Sequence, residues 1–164
     1  MHFKNSLTEY GIFSKVLHWL SALLLFIQIP LGFYLVDLDF SEKRLIFEKI
    51  HILFGLSIFY LVIIRLINNL INPPPKQRIS IFIGQKLLAK LNHLLLYLTI
   101  LSISISGILK KLFNGENLVI FFKNIYIEEN FELADLFYEI HVYSNFIIII
   151  LISIHILAAI AHKL

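Results

Sequence analysis

The sequence predicts an all-α protein built as a transmembrane four-helix bundle. Three observations carry this: four apolar stretches near the roughly 20 residues that cross a hydrocarbon core, a charged fraction of only 15% and a mean hydropathy of +0.83. Of the 164 residues 59% are hydrophobic, whereas a soluble domain devotes about a quarter of its residues to charge. A bilayer is the expected solvent, and membrane lipid the first partner. Too few residues separate the stretches for a second globular domain, so residues 1–164 are read as one domain. The net charge of +3 is spread over membrane-flanking loops, which suits charge-directed insertion and leaves no nucleic-acid footprint. The chain has no cysteine, which excludes disulfides, thiolate metal sites, iron–sulfur clusters and covalently attached c-type haem.

The first span is predicted at about 14–36. Lys4 and Lys15 precede its apolar run, which is too long for a signal-peptide core and lacks a small-residue cleavage site, so it is expected to remain as helix one. Trp19 suits the headgroup level, and Pro30 is expected to bend the helix without ending it. The second span, about 48–70, begins just before His51 and carries Arg65 near its far end, where a long side chain snorkels to water. Asn72-Pro73-Pro74-Pro75 stops it. The third, about 88–109, follows a basic amphipathic stretch with Lys86 and Lys90 that is expected to lie along the interface. The fourth is predicted at about 136–164, and the segment 110–137 is long enough for a short surface helix over the outer face.

Four spans put both termini and the middle loop on one side. That side holds Lys4, Lys15, Arg65, Lys76, Arg78, Lys86, Lys90 and Lys163 against a single acid, Glu9. Ten acids and six basic residues fall on the other side. The positive-inside rule therefore predicts cytoplasmic termini.

Of the seven histidines all but His2 lie in or at the ends of the spans. Ionisable groups there are costly and face the interior, so they need a common explanation. His18, His93, His155 and His162 belong to the cytoplasmic half, and His51 and His141 to the outer half. His141 and His155 are 14 residues apart, near four turns and about 21 Å along one helix face. Bis-histidine ligation needs two neutral imidazoles at equal depth on facing helices. The matching pairs are His51 with His141 and His18 with His155, which predicts two b haems, one in each leaflet.

Gly32 and Gly107 each follow a histidine by 14 residues, His18 and His93, and fall at the depth of the outer haem. Glycine there admits a flat macrocycle, or alternatively eases helix packing; Gly55, one turn after His51, is open to both readings. His93 and His162 are left over at the cytoplasmic end. His162 is placed to hydrogen-bond a quinone headgroup or a haem propionate, against the alternative of an interfacial polar side chain. Arg65, Lys76 and Arg78 are either partners of propionates or topology signals.

These residues resemble the bacterial cytochrome b561 family of small four-helix di-haem membrane cytochromes. The matching stretches are Leu17-His18-Trp19, Ile50-His51 with Gly55, Asn92-His93 with Gly107, Ile140-His141, and His155 through His162. They cover all four spans. Each is short, and the ordered set is specific. The resemblance implies axial ligands from helices one, two and four, carried here by His18, His51, His141 and His155. It also implies residence in the bacterial cytoplasmic (inner) membrane, quinone contacts around His162, and oxidation of periplasmic superoxide with reduction of ubiquinone. Relatives usually continue as a basic tail beyond the position of Leu164, where this chain departs from them.

The expected mechanism is an electron wire from the outer haem to the inner haem and on to a quinone. Two imidazoles leave no open axial position, which favours outer-sphere transfer over oxygen activation. Lys43, Arg44, Lys110, Lys111 and Lys123 would attract an anionic donor. One rival is a cytochrome b subunit that takes electrons from a periplasmic hydrogenase or dehydrogenase, which would copurify with it. Another is a haem-free proton or metal transporter, which would be colourless.

Overall fold

The computed structural model describes residues 2–75 and 84–161. Lys76, Arg78, His162 and Lys163, named above as propionate, quinone or topology residues, lie outside the described residues. Four long helices are present: α1 (Ile12–Asp37), α2 (Glu42–Ile71), α3 (Gln85–Phe113) and α4 (Phe131–Ala161). All four are long and apolar enough to span a membrane, and the chain is a multi-pass membrane protein. Contacts divide it into two compact units, Met1–Leu88 and Ala89–Leu164, with the boundary inside the first turns of α3. Each unit is a helical hairpin.

In the first unit α1 and α2 run antiparallel. Pro30 sits inside α1, which continues through it to Asp37. The α1–α2 turn is only Leu38–Ser41. Ser41 caps α2 by accepting a hydrogen bond from the Arg44 amide, and the Arg44 guanidinium donates back to the Leu38 carbonyl. This cap starts α2 at Glu42, six residues ahead of the predicted position 48, because the polar turn Glu42-Lys43-Arg44 is helical without being apolar. Leu17, Ser21, Ile58 and Val62 form the buried seam, with the Ser21 hydroxyl returned to the Leu17 carbonyl at 2.7 Å.

The N-terminal segment is tied down rather than frayed. The Asn5 amide nitrogen donates to Asn72 Oδ1 at 3.0 Å, and its side chain to the Asn72 and Pro73 carbonyls at 2.8 and 3.2 Å. Asn5 Oδ1 accepts from the Gly11 amide and the Ser14 hydroxyl, both at 2.9 Å. Asn68 extends the network to Ser14 at 3.0 Å. The proline run that stops α2 cannot donate from its own nitrogens, and Asn5 supplies donors to the carbonyls at its start.

In the second unit α3 and α4 are also antiparallel. Ser102 and Ser144 share a hydrogen bond of 3.0 Å across the pair, and Phe113 stacks on Phe137 at 5.7 Å. Ile100, Ile148 and Leu151 fill the seam. Lys86 and Lys90 lie within α3 itself, which continues to Phe113. The short surface helix expected within 110–137 is not what forms. Instead β1 (Leu118–Ile120) pairs antiparallel with β2 (Lys123–Ile125). The alternating burial of β1, with Leu118 and Ile120 in and Val119 out, is a period of two that no helix satisfies. Its two-residue turn, Phe121-Phe122, has positive φ at both positions, 49° and 63°, as a type I′ hairpin requires. Asn130 then caps α4 by accepting from the Leu133 amide at 3.1 Å, which starts the helix five residues before the predicted 136.

Asn5→Ala removes the side-chain half of the N-terminal network. At roughly 1 kcal/mol per hydrogen bond, the loss is expected to be about 2–4 kcal/mol, read as a lower Tm by circular dichroism in detergent. An unchanged Tm would mean that the network contributes nothing to stability.

Candidate functional site

Each hairpin carries two levels of polar groups, and the register between its helices does not slip from one level to the other. In the first hairpin Arg65 Nη2 lies 3.2 Å from His18 Nδ1. Fourteen residues further along both helices, Gly32 faces His51, and a Cβ on Gly32 would stand 3.3 Å from the imidazole Cε1. In the second hairpin His93 and His155 meet edge to face, with ring centroids 5.2 Å apart and planes at 81°. Fourteen residues away, Gly107 faces His141, where a Cβ would stand 3.1 Å from both Cε1 and Nδ1. The two hairpins therefore repeat one plan: a histidine and then a glycine on the first helix, opposed by a partner and a histidine on the second. Position 65 corresponds to position 155, and position 18 to position 93.

The glycines thus lie against the imidazoles of His51 and His141. A side chain at Gly107 would crowd His141 more closely than most packed Cβ atoms crowd a neighbour, so the ring would have to give by a few tenths of an ångström to admit one. Gly55 is different, since a Cβ there would meet only Gln28 Nε2 at 3.4 Å.

Hydrogen bonds fix the ring tautomers. His141 Nδ1 donates to the Ile103 carbonyl at 2.8 Å, and His93 Nδ1 to the Ala89 carbonyl at 2.7 Å. A carbonyl only accepts, so Nδ1 carries the proton in both rings and Nε2 is left as the electron-pair donor, the form in which histidine binds a metal. His18 is in the other state. A guanidinium only donates, so His18 Nδ1 accepts from Arg65. The Asn92 amide approaches His155 Nδ1 at 3.5 Å. Gln28 Nε2 donates to the His51 backbone carbonyl at 2.9 Å, holding α2 to α1 one turn from Gly32. Sequence reasoning missed Gln28 as a contributor, although a lone glutamine in an apolar span was a signal.

His18, His51, His141 and His155 are all half-buried. Each expected ligand pair, His51 with His141 and His18 with His155, takes one residue from each unit. Among the described residues no three His, Asp or Glu side chains converge; a metal ion held by protein alone normally needs three or four donors, and a porphyrin iron needs only two. The basic residues expected to attract an anionic donor are partly engaged. Lys111 pairs with Glu116 at 2.5 Å, Arg44 closes the α1–α2 turn, and Lys43 lies over the rings of Tyr34 and Phe47.

Residues 9–164 match the family model for prokaryotic cytochrome b561. Over 124 residues, 74% of the chain, the sequence is 32% identical to cytochrome b561 homolog 2 of Escherichia coli (strain K12). The match spans 65% of that relative's length.

Alanine substitution separates the two kinds of glycine. Gly55→Ala is expected to be neutral or stabilising by up to about 1 kcal/mol, from helix propensity. Gly107→Ala must displace His141 and is expected to destabilise by about 1–3 kcal/mol, measured by thermal unfolding of the two variants side by side. Equal effects would remove the argument from the His141 contact.

Proposed function

The chain belongs to the prokaryotic cytochrome b561 family, and from that membership and its paired histidines we propose that it carries electrons across the bacterial cytoplasmic membrane through two b haems. The observation that carries the reading is the repeated two-level arrangement, with an imidazole of fixed tautomer, His141, seated against a glycine on the outer level. His51 and His141 would hold the outer haem, and His18 and His155 the inner one, within a four-helix bundle. The haems supply one-electron chemistry at iron when bound. The residues of the chain orient the ligands and exclude water.

At the outer level the Ile103 carbonyl keeps the His141 proton on Nδ1 and presents Nε2. At the inner level, ligation through Nε2 requires His18 to carry its proton on Nδ1, which turns an Arg65 donor away from that nitrogen. The released guanidinium is then available to a carboxylate such as a propionate. Both termini face the cytoplasm in this reading. The donor is a small periplasmic reductant such as superoxide, or a redox protein, and the acceptor is ubiquinone or another quinone at the cytoplasmic end, with His162 beside it.

Purified protein is expected to show a reduced-minus-oxidised spectrum of low-spin b haem, with two haems per chain by pyridine haemochrome. His51→Ala and His141→Ala each leave one haem, and so does His18→Ala. A colourless protein after expression with ample haem would overturn the reading in favour of proton or metal transport. Reduction of the haems by enzymatically generated superoxide, abolished by superoxide dismutase, tests the donor.

Topology has a separate test, since the chain lacks cysteine. Asn114→Cys is expected to react with a membrane-impermeant maleimide added to intact cells, and Thr8→Cys only after the membrane is opened. The reverse labelling pattern would invert the proposed orientation.

A further inference from the structure

At the inner level of the second hairpin two imidazoles compete for one role. Only one is needed there if His18 supplies the other axial bond, yet His93 and His155 lie ring against ring, with centroids 5.2 Å apart. Their hydrogen bonds differ in a way that bears on ligation. His93 donates from Nδ1 to the Ala89 carbonyl one helical turn back, which leaves Nε2 as a bare donor in the form a metal takes. The same device fixes His141 at the outer level, where the Ile103 carbonyl is the acceptor. Beside His155 Nδ1 the structure has the side-chain amide of Asn92 at 3.5 Å, a longer contact to a group that can rotate.

The internal repeat adds an independent observation. His93 on α3 occupies the position of His18 on α1: each opposes, at the inner level, the position fourteen residues beyond the outer histidine of the facing helix, Arg65 in one hairpin and His155 in the other. The outer candidates His51 and His141 are equivalent under the repeat, and each is backed by a glycine. The inner pair His18 and His155 is not. The partner of His18 under the repeat is His93.

We propose that His93 is a second axial ligand site for the inner haem, able to replace His155 at iron. This rests on the haem reading above. In the exchange the bond from iron to His155 Nε2 breaks and one to His93 Nε2 forms. Each ring would bind as a neutral imidazole with its proton on Nδ1, so no electron is transferred and no net proton is gained or lost. His93 already holds that proton toward the Ala89 carbonyl, whereas the Asn92 amide beside His155 Nδ1 would have to turn its oxygen to accept it.

The test compares His155→Ala, His93→Ala and the double variant as purified full-length proteins, read by haem stoichiometry and by the low-spin signals in electron paramagnetic resonance. Wild type must first show two b haems, and its failure to do so would count against the haem reading rather than against this one. His155→Ala is expected to retain close to two haems, with one low-spin signal altered, and the double variant to fall to one. His93→Ala keeps two, because His155 remains. Loss of the inner haem in His155→Ala to the extent seen in the double variant would overturn the proposal, as would its retention in the double variant. The outer haem signal reports folding in every case. If the alanine variant does not accumulate, His155→Asn answers the same question with a polar side chain in place.

Discussion

An imidazole in a membrane-spanning helix is costly unless it finds partners, and in both hairpins the histidines face partners across the helix pair, His18 at Arg65 and His141 at the Ile103 carbonyl. Each histidine has to meet a backbone carbonyl, a donor or a metal at its own depth. Depth along a helix is fixed by the rise per residue, so partners on a facing antiparallel helix are set by register alone. That is why a separation of fourteen residues recurs on all four helices. A slip of one residue would rotate an imidazole by about 100°, away from its partner and toward the lipid-facing side chains. Ser102 with Ser144 and Gln28 with the His51 carbonyl pin that register from the side.

The spans were legible because apolar length is itself the physical requirement of a bilayer, and all four appear where expected. Their ends were not. Ser41 and Asn130 extend α2 and α4 into polar turns, and capping there depends on a hydroxyl or amide meeting an amide nitrogen, which a hydropathy run does not register. The β-hairpin was also hidden. Its period of two covers only three residues per strand, and its turn uses two phenylalanines at positive φ, where Gly or Asn is the recognisable signal.

Depth made part of the candidate site readable too. The spacing placed Gly32 and Gly107 at the depth of His51 and His141, and they lie against those two rings. The proton positions were beyond the sequence, because they depend on contacts between helices. Arg65 illustrates the difference: an arginine at the end of a span reads as a snorkelling residue, a topology signal or a propionate partner, and none of these readings names His18 Nδ1, which its guanidinium reaches. Asn5 was invisible for a related reason, since its partners Asn72 and Pro73 are brought to it only by the antiparallel return of α2.

The repeat also bears on the direction of electron flow under the proposed function. A strictly duplicated hairpin would give two haems with environments as alike as their positions allow. The outer level keeps that equivalence, with histidine against glycine on both hairpins. The inner level breaks it by placing Arg65 where the second hairpin has His155. A fixed positive charge near an iron favours the reduced form, which is less positive by one unit, and so raises the reduction potential. A propionate paired with the guanidinium would offset part of that charge, so the effect is what remains after the pairing. An electron arriving at the outer haem would then find the inner one at higher potential, and the asymmetry at position 65 would bias transfer toward the side where the chain termini and the quinone are proposed to lie.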